Sequence, residues 1–107
     1  MGIPITINRT VITTGVAGTI TNHPVLAEFI KEALSRHSRG DWGDVDPEDA
    51  AANDHAALLN QRVLAVYALP EPITNATTLF GPRDHNRIWI ITEADRAVTT
   101  VLWPSEY

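Results

Sequence analysis

Apolar and polar positions along the chain recur with two different periods, and each change of period marks a new element. Between residues 24 and 38, Val25, Leu26, Phe29, Ile30, Ala33, Leu34 and His37 fall alternately one and three positions apart, a single apolar stripe on a helix. Pro24 suits its first turn and His23 or Asn22 its cap. Arg36, His37 and Arg39 gather at the negative end of its dipole, and Gly40 ends it. A second helix is predicted to start at Asp46-Pro47-Glu48-Asp49. Asp46 can cap it, Pro47 fits its first turn, and the two acids face the positive end of the dipole. It runs to about Leu59. Ala51, Ala52, His55, Leu58 and Leu59 share a face whose alanines allow a neighbour to approach closely.

Elsewhere the chain reads as strand. Residues 3–14 are rich in Ile, Val and Thr, and Gly15 and Gly18 break the run. Residues 62–69 and 87–92 form two further strands, and residues 97–103 pair with the second through a turn at Glu93–Arg96. The stretch 70–86 carries prolines and a glycine and reads as an inserted loop, with its Leu79-Phe80 pair either anchored on the core or offered to a partner. The order strand, helix, helix, strand, strand, strand predicts a single α+β domain over 1–107. Its small antiparallel sheet of three or four strands is covered on one face by two helices. The expected core is Val25, Leu26, Phe29, Ile30, Leu34, Leu58, Val63, Ala65, Tyr67, Ile88, Ile90, Val98, Thr100 and Leu102. Alternation leaves open which side of each strand points inward.

Composition narrows the function classes. The chain has 107 residues, enough for one domain, and no cysteine, which removes disulfides, thiol nucleophiles and cysteine-ligated zinc. No secretory-signal pattern opens it and no apolar run approaches the roughly 20 residues of a membrane span, so a cytoplasmic protein that does not engage membranes is expected. The net charge is −5, and its placement matters more than its size. Asp41, Asp44, Asp46, Glu48, Asp49 and Asp54 fall in one segment without Lys or Arg, and the remainder carries one more base than acid. That layout argues against direct nucleic-acid binding, which needs a basic stripe.

Candidate chemistry is sparse. Asp44, Asp46 and Glu48 alternate like the first ligands of a calcium loop, but the glycine required at its sixth position is Asp49 and the closing glutamate is His55. The four histidines lack the spacing of a helical zinc site. His37 and His55 read as satisfied, half-buried imidazoles. His55 with Asp54 or Glu48 is the one acid/base pairing, the basis of a third-ranked reading as a small hydrolase. No serine sits in a nucleophile elbow and no glycine-rich loop has the phosphate-binding spacing. The chain is therefore expected to be no enzyme and to need no cofactor or metal. Trp42, set among acids, reads either as an anchor folded onto the core or as an exposed binding hot spot.

Several segments together carry a resemblance. They are Arg36-His37-Ser38-Arg39-Gly40-Asp41-Trp42-Gly43, Glu48-Asp49, Ala52-Asn53-Asp54, Arg62-Val63-Leu64, and the closing hairpin from Ile90 to Tyr107. In combination they resemble a group of small uncharacterised plasmid- and phage-related bacterial proteins, over residues 36–69 and 87–107. The resemblance implies cargo of a mobile genetic element. Two roles follow from it. One is a counter-defence inhibitor, of anti-CRISPR or anti-restriction type, that binds a basic host protein. The other is an accessory protein that assembles with itself, as a homodimer for example, or with another protein of the element. In the first, the partner-binding surface comprises Asp41, Trp42, Asp44, Asp46, Glu48, Asp49 and Asp54.

Overall fold

Four strands make one mixed sheet in the spatial order β1–β4–β3–β2: β1 (Arg9–Ile12), β2 (Val63–Ala68), β3 (Arg87–Thr92) and β4 (Val98–Leu102). Four helices accompany them: α1 (Thr14–Asn22), α2 (Val25–Ser38), α3 (Pro47–Leu58) and α4 (Glu71–Leu79), and a 3-10 turn at Pro104–Glu106 follows β4. This computed structural model describes residues 2–79 and 85–107, with the side chains of 76–79 excepted. The α+β class follows the sequence reading. The sheet, however, is not wholly antiparallel. β2–β3 and β3–β4 are antiparallel, as hairpin-like neighbours should be, while β1 joins β4 in parallel, which its long connection through the other elements permits.

Two expected breaks are helices instead. Gly15 and Gly18 lie inside α1. A helical glycine costs about 1 kcal/mol against alanine, and here tertiary contacts offset it. The Thr13 hydroxyl accepts from the Val16 amide at 3.2 Å and donates to Glu106 Oε1 at 2.7 Å, which brings a carboxylate to the positive end of α1. An added Cβ at Gly15 would lie 2.5 Å from Glu106 Oε2, so the small residue permits this approach. The expected strand over 3–14 shrinks to four residues accordingly. The 70–86 segment likewise holds α4, entered through Pro70, whose carbonyl accepts from Ile73 and Thr74. Ile73 is buried against the core. Phe80 and the side chain of Leu79 lie outside the described residues.

The core sits between one sheet face and the helices. Leu26, Ile30, Ala33, Ala56 and Ala57 pack with Val63, Ala65, Tyr67, Ile88 and Ile90, with Phe29 and Leu34 partly buried beside them. On β4 the parity left open by the sequence is not that of the expected core residues Val98, Thr100 and Leu102. Thr92 pairs with Thr99 and Ile90 with Val101, so Thr99, Val101 and Trp103 face the helices, and Val98, Thr100 and Leu102 the far side. The five residues between β3 and β4 set that register. Arg96 closes this turn at φ 63° and donates to the carbonyls of Gln61, Glu93 and Ala56. It thereby ties the hairpin to the C-terminal end of α3.

α3 is also turned from its expected orientation. It buries Asn53, Ala56 and Ala57, whereas Ala51, Ala52, His55, Leu58 and Leu59 are exposed. Polar anchors set its rotation: Asn53 hydrogen-bonds the Leu64 backbone in β2, and Arg96 holds the Ala56 carbonyl. Leu58 and, at the start of α2, Val25 are therefore absent from the core, being 64% and 54% exposed. The contrast is testable. Leu26→Ala should destabilise the domain by about 2–5 kcal/mol, and Val25→Ala by no more than about 0.5 kcal/mol. Equal losses in urea melts would mean that α2 is rotated from the orientation described.

Candidate functional site

The acidic segment lies along the outer edge of β2, and most of its charges make backbone contacts that hold it there. After α2 the chain turns through Gly40 and Gly43, both at positive φ, where glycine avoids the strain of a side chain. Between them Asp41 accepts from Arg36 Nε at 2.8 Å and from the Gly43 amide at 3.0 Å. The Arg36 hydrogen bond holds the Asp41 carboxyl below the usual carboxylate range, against a smaller opposing effect of burial. The Trp42 carbonyl then accepts from Val66, the Asp44 amide donates to the Val66 carbonyl, and an Asp44 carboxylate oxygen accepts from Ala68 at 2.9 Å. With Asn53 on Leu64, the outward N–H groups of Leu64, Val66 and Ala68 are all satisfied, so this edge is closed to strand addition. Asp46 caps α3 through the Asp49 amide at 2.8 Å.

Trp42 is 4% exposed, which corrects its reading as an exposed hot spot. Its indole nitrogen donates to Asp54 Oδ1 at 2.9 Å and its ring stands edge-on to His37 at 5.5 Å between centroids. It is the anchor that pins the segment to the core. Four of the six acids thus hold structure: Asp41, Asp44, Asp46 and Asp54. Glu48 and Asp49, exposed on the first turn of α3, have no side-chain hydrogen bond or ion pair among the described residues. The carboxylates of Asp41, Asp44 and Asp46 remain exposed despite their bonds, so a fixed negative ridge runs along this side of the molecule.

Behind the ridge lies a polar chain that sequence reasoning missed. His37 is wholly buried rather than half-buried. Tyr67 donates to the Asp41 carbonyl at 2.7 Å, so its oxygen receives the His37 Nδ1 proton at 3.3 Å. That leaves Nε2 as acceptor for the Thr92 hydroxyl at 2.8 Å, and Thr92 receives from Thr99 at 2.8 Å. One hydrogen-bonded line therefore joins β4, β3, α2, β2 and the acidic segment. Burial, with a smaller push from the Arg96 charge, lowers the imidazole to about 4, and burial raises the Tyr67 phenol above its ordinary value. Both are held neutral. Both ring nitrogens of His37 are thus engaged within the line.

Hollows lie on both sides of the ridge. One, of about 490 Å³, is lined by Arg39, Asp41, Trp42, Ala50, Asp54 and neighbouring glycines. The other, of about 360 Å³, is apolar and lies between α3 and the far sheet face. His55 is exposed and forms no hydrogen bond or ion pair with Asp54 or Glu48, so the acid/base pair suggested by sequence is not assembled. Among the described residues no three acidic or histidine side chains converge on a metal-sized site. Asp44 and Asp46 are instead committed to Ala68 and Asp49. No helix among the described residues is long and apolar enough to cross a membrane. No family model, no curated protein and no solved structure matches the chain.

Proposed function

We propose that the chain is a non-enzymatic protein-binding module whose acidic ridge recognises a basic protein surface. The observation that carries this reading is the way the charge is held. The segment containing the whole negative excess is fixed to β2, α2 and α3 by side-chain and backbone bonds, yet Asp41, Asp44, Asp46, Glu48 and Asp49 remain exposed. Charges fixed before encounter bind without the ordering cost that mobile side chains incur, and they steer association. The resemblance to mobile-element cargo supports a host protein with a basic nucleic-acid channel as the partner class, hence a counter-defence role. Assembly with itself or with another protein of the element is the competing reading.

Glu48 and Asp49 are the cleanest probes. Asp41 and Asp44, which lie outside the helix cap in sequence, carry structural bonds, and their reversal would disturb the β2 edge. Glu48→Lys with Asp49→Lys breaks no side-chain hydrogen bond among the described residues and exchanges favourable for unfavourable helix-dipole interactions, about 0.3–1 kcal/mol for each favourable one lost and a similar amount for each unfavourable one gained. The chain is used as bait at low and at 300 mM salt, beside this double variant. The expected result is a basic protein retained by the native chain at low salt and lost with the variant. Partners that bind both baits equally at both salts would move the interface off the ridge.

A further inference from the structure

The two hydrophobic strands β2 and β3 are apolar on both sides, and the helices cover only one. On the far face Ile91 and Leu102 are buried, whereas Leu64, Val66 and Trp89 are half-buried, and among the described residues Tyr107 packs against one end of that half-buried part. Its ring stands edge-on to Trp89 at 5.4 Å and its hydroxyl accepts from Arg62 at 2.8 Å. Beyond Tyr107 the surface opens into the apolar hollow. Leu64, Val66 and Trp89 form its floor, and Val45 with Asp49 and Ala52 of α3 its wall. Among the described residues Asp49 is the one carboxylate in its lining, Glu48 precedes it on the same exposed helical turn, and no basic residue lines it.

We infer that this groove takes an apolar side chain of the partner, flanked by lysine or arginine, so that the anchor enters against Leu64, Val66 and Trp89 while the base pairs with Asp49. The inference rests on the ridge reading and adds the partner's chemistry to it. Charge complementarity selects the occupant. Among the described residues the groove opens beside carboxylates without an ion pair and has no cation in its lining, so an apolar segment bearing acids is repelled and one bearing bases is drawn in. An apolar anchor in a pocket with charges at its rim is the usual composition of a binding hot spot. The volume suits one or two side chains rather than a whole helix, which fits an extended or loop-borne segment.

The probe is a blocked peptide with two leucines between lysine pairs, titrated into the 15N-labelled protein. Two further peptides replace leucine by serine or lysine by glutamate. Shifts are expected at the amides of Ala52, Leu64 and Val66 and at the Trp89 indole, with affinity at least fivefold weaker for either altered peptide. Ala52→Phe fills the groove and should weaken binding at least fivefold. Ala51→Phe, exposed on the same helix outside the groove, should bind as the native chain does, and equal melting of both variants shows that the fold is kept. Shifts confined to Glu48 and Asp49, indifferent to leucine, would overturn the groove while leaving the ridge standing. No shifts with any peptide would overturn the groove alone, since the ridge is tested separately by the captured partner. Shifts at these residues that depend on protein concentration without peptide would assign the groove to a second copy and overturn the inference.

Discussion

Trp42→Ala is expected to remove about 3–5 kcal/mol of stability, the usual cost of deleting a buried large aromatic side chain. Small domains hold only about 5–15 kcal/mol in total, so the variant should melt far earlier or fail to fold at 37 °C. The loss has separate sources. The indole fills space against His37 and the core, and its N–H is the donor that holds Asp54. Trp42→Phe keeps most of the packing and deletes the donor, which should cost about 1–3 kcal/mol because the partly buried Asp54 acceptor is left without its bond. Urea denaturation of the two variants checks both values. A loss below about 0.5 kcal/mol for Trp42→Ala would put the indole on the surface and restore it as a contact residue.

The second large effect is a pH dependence. The unfolded chain protonates His37 at its ordinary 6.5, the folded chain only at about 4, because burial disfavours the charged ring and the Arg96 charge adds a smaller push. Between those values the unfolded state binds more protons. Stability from this group is therefore complete above about pH 6.5 and falls as pH drops toward 4, by about 3 kcal/mol. Urea melts at pH 7, 6, 5 and 4.5 read the slope directly, and an NMR titration of the His37 ring assigns it. A flat profile, or a His37 resonance titrating near 6.5, would contradict the neutral hydrogen-bonded line from Thr99 to Asp41.

These two residues show how far the sequence was legible. Trp42 offered two readings, anchor or hot spot, and nothing local decided between them, because the acceptor of its indole N–H, Asp54, lies 12 residues away. His37 was legible as a member of the apolar stripe. Its partners Tyr67, Thr92 and Thr99 come from three different strands, and no spacing within one element reveals such a line. The start of α3 was legible because Asp46, Pro47, Glu48 and Asp49 act within one turn. Its rotation was not, since Asn53 and Arg96, rather than its leucines, decide which side faces inward. α1 was hidden for a similar reason: its glycines read as breakers, and the carboxylate that supports its first turn is Glu106, at the far end of the chain. The apolar groove did leave a signal. Val63–Ala68 and Ile88–Ile91 lack the alternation of a strand with one wet face, which implies cover, or a ligand, on both sides.

Most of the candidate surface, by contrast, was legible as charge: the negative excess sits where composition placed it. Which acids are structural was not, because the carboxylates of Asp41 and Asp44 bond to partners that only the fold brings into reach, the Gly43 turn and the β2 edge. On the proposed function, the exposed ridge steers a basic partner. The most direct measurement is the association rate of the captured partner against salt, for the native chain and for Glu48→Lys, Asp49→Lys. The native rate is expected to be at least tenfold slower at 300 mM than at 20 mM salt, as steered encounters behave. The variant is expected to associate slowly and with little dependence on salt, with little change in dissociation. A native rate that is flat in salt, or a variant that associates as fast as the native chain, would contradict steering by the ridge.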